Sequence, residues 1–146
     1  MIIYTIGFTQ KTAEQFFELI RSNDIKLLID IRLNNASQLA GFSKDTDLKY
    51  FLSKICNCDY IHRLDFAPSK EIMDGYKSKN ISWAEYEKQY NALIRDRDSI
   101  SGFFEQYNKY ENICLLCSEA TETNCHRRLL AEMIKGEYPQ ITVKHI

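Results

Sequence analysis

Net charge is almost missing from this chain: 19 lysines and arginines against 20 acidic residues leave a formal charge of -1 over 146 residues. No strong overall basic field is present to gather nucleic acid, so contact with a polyanion would fall to a local patch. Long apolar runs are missing as well. The opening MIIYTIGFTQK carries neither a basic leader region nor a small-residue cleavage site, and its apolar run is far too short to cross a bilayer. The expectation is a cytoplasmic protein that does not enter the membrane. Repeats, low-complexity tracts, clear linkers, a glycine-rich phosphate loop and any established nucleophile motif are also lacking. Five cysteines is an odd number, and Cys56 and Cys58 lie too close together for an ordinary bridge, so a reducing compartment fits better than a disulfide scaffold.

What is present is enough apolar residue for a core: 45% hydrophobic content in a chain of this length predicts one compact domain over residues 1–146. The runs IIYTIGF, IKLLIDIRL and NICLLCS are nearly continuous apolar stretches with β-branched residues, the pattern of strands buried on both faces. DYIHRLDF and ITVKHI are weaker strand candidates. Between them, Ala13, Phe16, Phe17 and Ile20, then Leu48, Phe51, Leu52 and Ile55, repeat with the spacing of one apolar helix face. Ser82 followed by Glu85 predicts a capped helix with the stripe Trp83, Tyr86, Tyr90, Leu93 and Ile94. Another helix is expected over Phe103, Phe104 and Tyr107. The alternation predicts an α/β fold: a mainly parallel sheet of about five strands with helices on both faces, a Rossmann-like three-layer sandwich. The aromatic stripes coincide with buried helix faces and read as core. The tyrosine-rich region 76–110 also carries charges between its aromatics, which would suit a protein interface.

In such a sheet, ligands collect beyond the carboxyl ends of the strands. Thr5, Gly7 and Thr9 follow the first strand, Asp30 and Arg32 the second, His62 and Arg63 the third, and Cys117, Ser118 and Glu119 the fourth. All are expected on one rim. Gly7 reads as a tight turn of positive φ and Thr9 as a helix cap. Asp30 and Arg32, two apart on an extended strand, share a side and either pair with each other or serve a ligand.

The richest segment is CSEATETNCHRRLLAEMIKG. Cys114 and Cys117 spell C-x-x-C, but on a strand residues three apart face opposite ways with α-carbons roughly 10 Å apart, which leaves Cys114 as a core residue. Leu129, Leu130, Met133 and Ile134 mark a helix with Gly136 as its expected C′ residue and Thr123 or Asn124 as its expected N-cap. Cys125, His126 and Arg127 then occupy a first turn whose exposed amides favour an anion and a lowered thiol pKa. Arg128 has Glu132 one turn on; Arg127 has Ala131 there and no local partner.

The segments YTIGFT, LLIDIR, APSKEIMDGYK, WAEYEKQY and LLCSEATETNCHRRLLAE together resemble the DUF488 family of small bacterial and archaeal proteins, over nearly the whole chain. The most specific element is C-x-E-x5-C-H-R, carried by Cys117, Glu119, Cys125, His126 and Arg127. Many relatives have a histidine where this chain has Phe8, and a Pro-x-Ser-Arg type segment where it has NNASQLAGF. The resemblance implies an α/β fold and a shared polar site, without a reaction or a cofactor.

Three readings remain open on the residues themselves. In the first, Arg32 and Arg127, with Thr5, Gly7 and Asp30, hold a phosphorylated or otherwise anionic ligand such as a nucleotide or nucleic-acid end. Cys117 or Cys125 then serves as nucleophile, with Glu119 and His126 as acid/base groups. In the second, Cys117, Cys125 and His126 ligate zinc or iron, although adjacent ligands on one helical turn diverge by about 100°. In the third, the charges form a structural network around buried thiols.

Overall fold

The computed structural model describes residues 1–36 and 41–146. Five strands alternate with helices in the order β1 (Ile2–Gly7), α1 (Ala13–Ser22), β2 (Leu27–Asp30), α2 (Asp45–Phe51), β3 (Asp59–His62), α3 (Lys70–Lys77), α4 (Trp83–Asp96), α5 (Phe103–Tyr107), β4 (Asn112–Cys117), α6 (His126–Glu137) and β5 (Thr142–His145). The strands form one sheet in the order β3-β2-β4-β1-β5, and every pairing is parallel. The α/β expectation and all five strand candidates hold. No helix among the described residues is long and apolar enough to cross a membrane.

Strand alternation sorts the core into two layers. Ile3, Leu27, Ile29, Ile113 and Leu115 pack under α3 to α6, while Tyr4, Ile6, Leu28, Cys114 and Leu116 pack under α1 and α2. Successive side chains of a strand take opposite faces, so each strand feeds both layers. Helix α1 follows from its sequence: Thr12 closes a complete capping box with Gln15, and Phe16, Phe17 and Ile20 supply the buried stripe. Thr9, expected as the cap, instead donates its hydroxyl to the Ser118 carbonyl.

The second helical stripe departs from expectation at one residue. Leu48 and Leu52 are fully buried, but Ile55 is 45% exposed. Helix α2 gives way to a π-turn over Leu52–Cys56, and the wider turn carries Ile55 outward and Cys56 inward. Helix α4 is capped by Ser82, whose hydroxyl accepts from the Glu85 amide, and it buries Tyr86, Tyr90 and Ile94. The Trp83, Tyr86 and Tyr90 rings stack in sequence, and the Tyr90 ring lies 5.5 Å from the His126 ring. The aromatics of this region are thus largely core.

The topology fixes where a cleft forms. After β1 the chain crosses to the α1 layer, whereas after β4 it crosses to the α6 layer. These strands are neighbours, with Gly7 opposite Cys117. Adjacent parallel strands whose connections leave on opposite faces open a crevice at their carboxyl ends.

Tyr90 is fully buried, and its hydroxyl donates to the Phe66 carbonyl at 2.6 Å. Tyr90→Phe leaves that carbonyl without its partner and is expected to cost about 1–2 kcal/mol in urea denaturation, with the fold retained.

Candidate functional site

At the mouth of this crevice, Gly7 performs a task other than the one its position in the sequence indicates. It ends β1 without a positive φ. What requires glycine is proximity: a Cβ there would sit 1.6 Å from the Glu119 carbonyl oxygen and 3.0 Å from Arg127 Nη1. The chain leaving β4 turns back across the end of β1 and can do so only over a residue without a side chain.

That turn sets the start of α6. Cys125, and not Thr123 or Asn124, is the N-cap, with extended backbone (φ -139°, ψ 137°), and its side chain makes no capping hydrogen bond. Gly136 lies inside the helix, which runs on to Glu137 with Tyr138 as its C-cap. Because Cys125 is extended and His126 is the first helical residue, the two side chains do not splay as they would within one helical turn. Both reach Cys117. The Cys117 and Cys125 sulfurs and a His126 ring nitrogen all lie within 4.8 Å of one another, and all three residues are buried.

His126 is fixed from the far side. Its Nε2 lies 3.0 Å from the Ile31 carbonyl, so Nε2 carries the donated proton and Nδ1 faces Cys117 Sγ at 3.7 Å. Burial alone would push the Cys117 thiol up. The Cys125 thiol, the positive charge and hydrogen bond of His126 and the Glu119 amide overcome it and hold Cys117 well below the usual range. Burial and the neighbouring Cys117 sulfur push Cys125 up, which makes Cys117 the thiol that ionises first. His126 is raised: burial lowers it, but the Cys117 charge outweighs that. The remaining thiols are core groups. Burial raises Cys56 and Cys114, and it pushes Cys58 up to about 12.

Arg127 is 1% exposed. Its Nη1 donates to the Glu119 carbonyl at 2.6 Å and approaches Cys125 Sγ at 3.6 Å, while Nε donates to Thr5 Oγ1 at 3.4 Å. The Thr5 hydroxyl in turn lies 2.7 Å from His145 Nδ1. The guanidinium only donates, so the Thr5 oxygen accepts from it while also meeting the His145 ring. No carboxylate pairs with Arg127 among the described residues. Arg128, by contrast, pairs with Glu132 and Glu87 on the outside, as its phase predicts.

Asp30 and Arg32 are elsewhere. Asp30 lies opposite Leu116 in β4, one residue short of Cys117, so the pair falls on the α1 face of the sheet while Cys117 falls on the α6 face. Arg32 forks onto Asp30 at 2.9 and 2.7 Å, donates to the Ser43 carbonyl at 2.7 Å and lies 5.2 Å from the centre of the Phe8 ring. Tyr60 donates to the second Asp30 oxygen at 2.7 Å, and Asn35 donates to the Tyr60 hydroxyl. Phe8 therefore packs against Arg32. Of the NNASQLAGF segment, residues 37–40 lie outside the described residues.

The structure thus brings Thr5, Gly7, Cys117, Cys125, His126 and Arg127 together and places Asp30 and Arg32 across the sheet. Glu119 joins through its main chain, and its side chain is exposed. His62 lies 2.7 Å from the Arg32 carbonyl, and Arg63 pairs with Asp65 and donates to Tyr107, both away from the thiols. Tyr60, His145 and Lys11 have contacts here that the local sequence did not indicate. For Lys11 the only sequence signal is its position just after the first strand. It lines an open groove of about 630 Å³ between the start of α1 and Ala120 and Thr121 of the β4–α6 loop. Burial, then the positive charge of Arg127, lowers its ammonium pKa.

An all-parallel α/β sheet with a buried Cys-Cys-His-Arg cluster at its crossover crevice defines the class of protein. Within that class, the family model described as a domain of unknown function, DUF488, matches residues 12–134, most of the chain, and the protein belongs to that family. No curated protein and no solved structure matches it.

Three substitutions probe this geometry. Asp30→Asn strands Arg32 without a countercharge in the interior and is expected to destabilise by about 3–5 kcal/mol, against about 1 kcal/mol for Tyr60→Phe, both from urea midpoints. Gly7→Ala should lose about 1–3 kcal/mol as the loop is pushed off β1, with the change in near-ultraviolet circular dichroism showing the displaced packing.

Proposed function

We propose that the protein binds an anionic ligand, of the phosphorylated kind found in nucleotides and nucleic-acid ends, where β1, β4, the β4–α6 loop and the start of α6 converge. One observation carries this reading: Arg127 is a buried guanidinium whose partners are a carbonyl, a hydroxyl and the Cys125 thiol, and no carboxylate pairs with it among the described residues. A buried cation without a countercharge costs several kcal/mol, and an incoming anion recovers that cost.

Two features support the same place. The twelve-residue helix α6 starts there with no acidic residue in its first turn, so its positive dipole end is uncompensated. Lys11, set in the groove beside the loop, lies close enough to Arg127 for the two cations to disfavour each other, a repulsion that an anion between them relieves. The Cys117–His126 pair stands next to this position and supplies polar groups for any chemistry on the ligand. Arg32, committed to Asp30 on the opposite face, has no part in holding the ligand in this reading.

The test is a calorimetric binding series with inorganic phosphate, nucleoside phosphates and a 5′-phosphorylated oligonucleotide. Arg127→Met should weaken the best ligand by about tenfold or more, and Lys11→Ala by a smaller factor, the loss of one charge-assisted contact being worth about 1.5–3 kcal/mol. Affinity unchanged in a folded Arg127→Met protein removes the proposal.

A further inference from the structure

We infer that Cys117, Cys125 and His126 hold a thiophilic divalent metal ion of the zinc class, with a fourth coordination position left for an exogenous ligand beside Arg127. Zinc–sulfur bonds of about 2.3 Å and zinc–nitrogen bonds of about 2.0–2.1 Å at tetrahedral angles place sulfur and nitrogen donors about 3.6 Å apart, and two sulfurs about 3.8 Å apart. Cys117 Sγ and His126 Nδ1 are separated by 3.7 Å, and all three donors fit within 4.8 Å. That separation suits a hydrogen bond to sulfur in the absence of an ion and also matches the edge of a coordination tetrahedron.

The surroundings are those that hold ligands in place. His126 is anchored through Nε2 on the Ile31 carbonyl, the usual outer contact of a metal-bound imidazole, and this leaves the Nδ1 lone pair aimed at the sulfurs. The extended N-cap conformation of Cys125 lets consecutive residues act as neighbouring ligands. Two sulfurs and an imidazole select a borderline-soft ion; calcium and magnesium require oxygen donors, and the Glu119 side chain is exposed.

Charge counting links the ion to its surroundings. A divalent ion is neutralised by two thiolates, so the charge of Arg127 stays over and favours an anion in the fourth position. That last point rests on the anion reading above; the ion itself does not.

The test uses the full chain, expressed in zinc-supplemented medium and purified without chelator, with no phosphate present. Elemental analysis should find about one zinc or iron per chain, and cobalt added to the stripped protein should give thiolate-to-metal charge-transfer absorption. Cys117→Ser and Cys125→Ser should each lower metal retention about tenfold or more, whereas Cys58→Ser, remote from the cluster, should retain the ion. Folded wild-type protein that neither carries zinc or iron nor develops cobalt charge-transfer bands overturns the inference. Arg127→Met separates the two proposals: it should keep the metal and lose the anion.

Discussion

The contact of the Glu119 carbonyl with Gly7 governs the layout of this molecule's polar centre. Strands β1 and β4 run in register with Gly7 opposite Cys117, so the chain leaving β4 has β1 directly beside it. A side chain at residue 7 would hold the loop off. Its absence lets the loop fold back, delivers the Glu119 carbonyl to Arg127, places the Ser118 carbonyl over the Thr9 hydroxyl, and brings Cys125 round to face Cys117. A carbonyl pressed close to a strand end thereby positions a guanidinium, two thiols and an imidazole.

The sheet then divides the buried charges into two groups of opposite character. On the α1 face, Asp30 and Arg32 satisfy each other through a forked ion pair reinforced by Tyr60 and the Ser43 carbonyl. Such a pair contributes little net stability, but it specifies the arrangement of the strand end, because either partner alone would be a buried charge. On the α6 face, Arg127 has a carbonyl, a hydroxyl and a thiol around it and no carboxylate among the described residues. One face is electrostatically closed and the other is not, although their arginines approach the same rim.

Most of the architecture was legible because it depends on periodicity. Doubly buried strands read as apolar runs, helices as stripes, and the strand-end residues follow from both. Asp30 and Arg32 do sit at the strand-end rim, but parity turns them to its α1 face: the register pairs Asp30 with Leu116, and pairing distant in sequence cannot be counted from local spacing. Close approach was equally invisible. A glycine beside a loop and a glycine in a turn look alike until the partner backbone is in place, and Gly7 was read as the second. The helix start was misplaced by one or two residues, within the usual uncertainty of helix ends, yet this small shift is what lets Cys125 and His126 converge. Ile55 shows the same limit, since a π-turn changes the period on which the stripe was counted. Thr5 and His145 meet across 140 positions of chain, and nothing local to either announces it.

The strand order also bears on how the molecule is made. Among the described residues strand β1 pairs with β4 and β5 and with neither β2 nor β3, so during synthesis it waits for residues 112–117 before it meets either of those partners. In the interval, β2 and β3 can pair, while β1 remains an apolar segment with both edges bare, the condition that invites association between chains. Insertion of β4 between β1 and β2 closes that gap and, in the same step, delivers Cys117 to the place where the turn over Gly7 begins. Joining of β1 to the β2–β3 pair and delivery of Cys117 to the polar cluster are therefore one event in the folding of this chain, dominated by contacts distant in sequence.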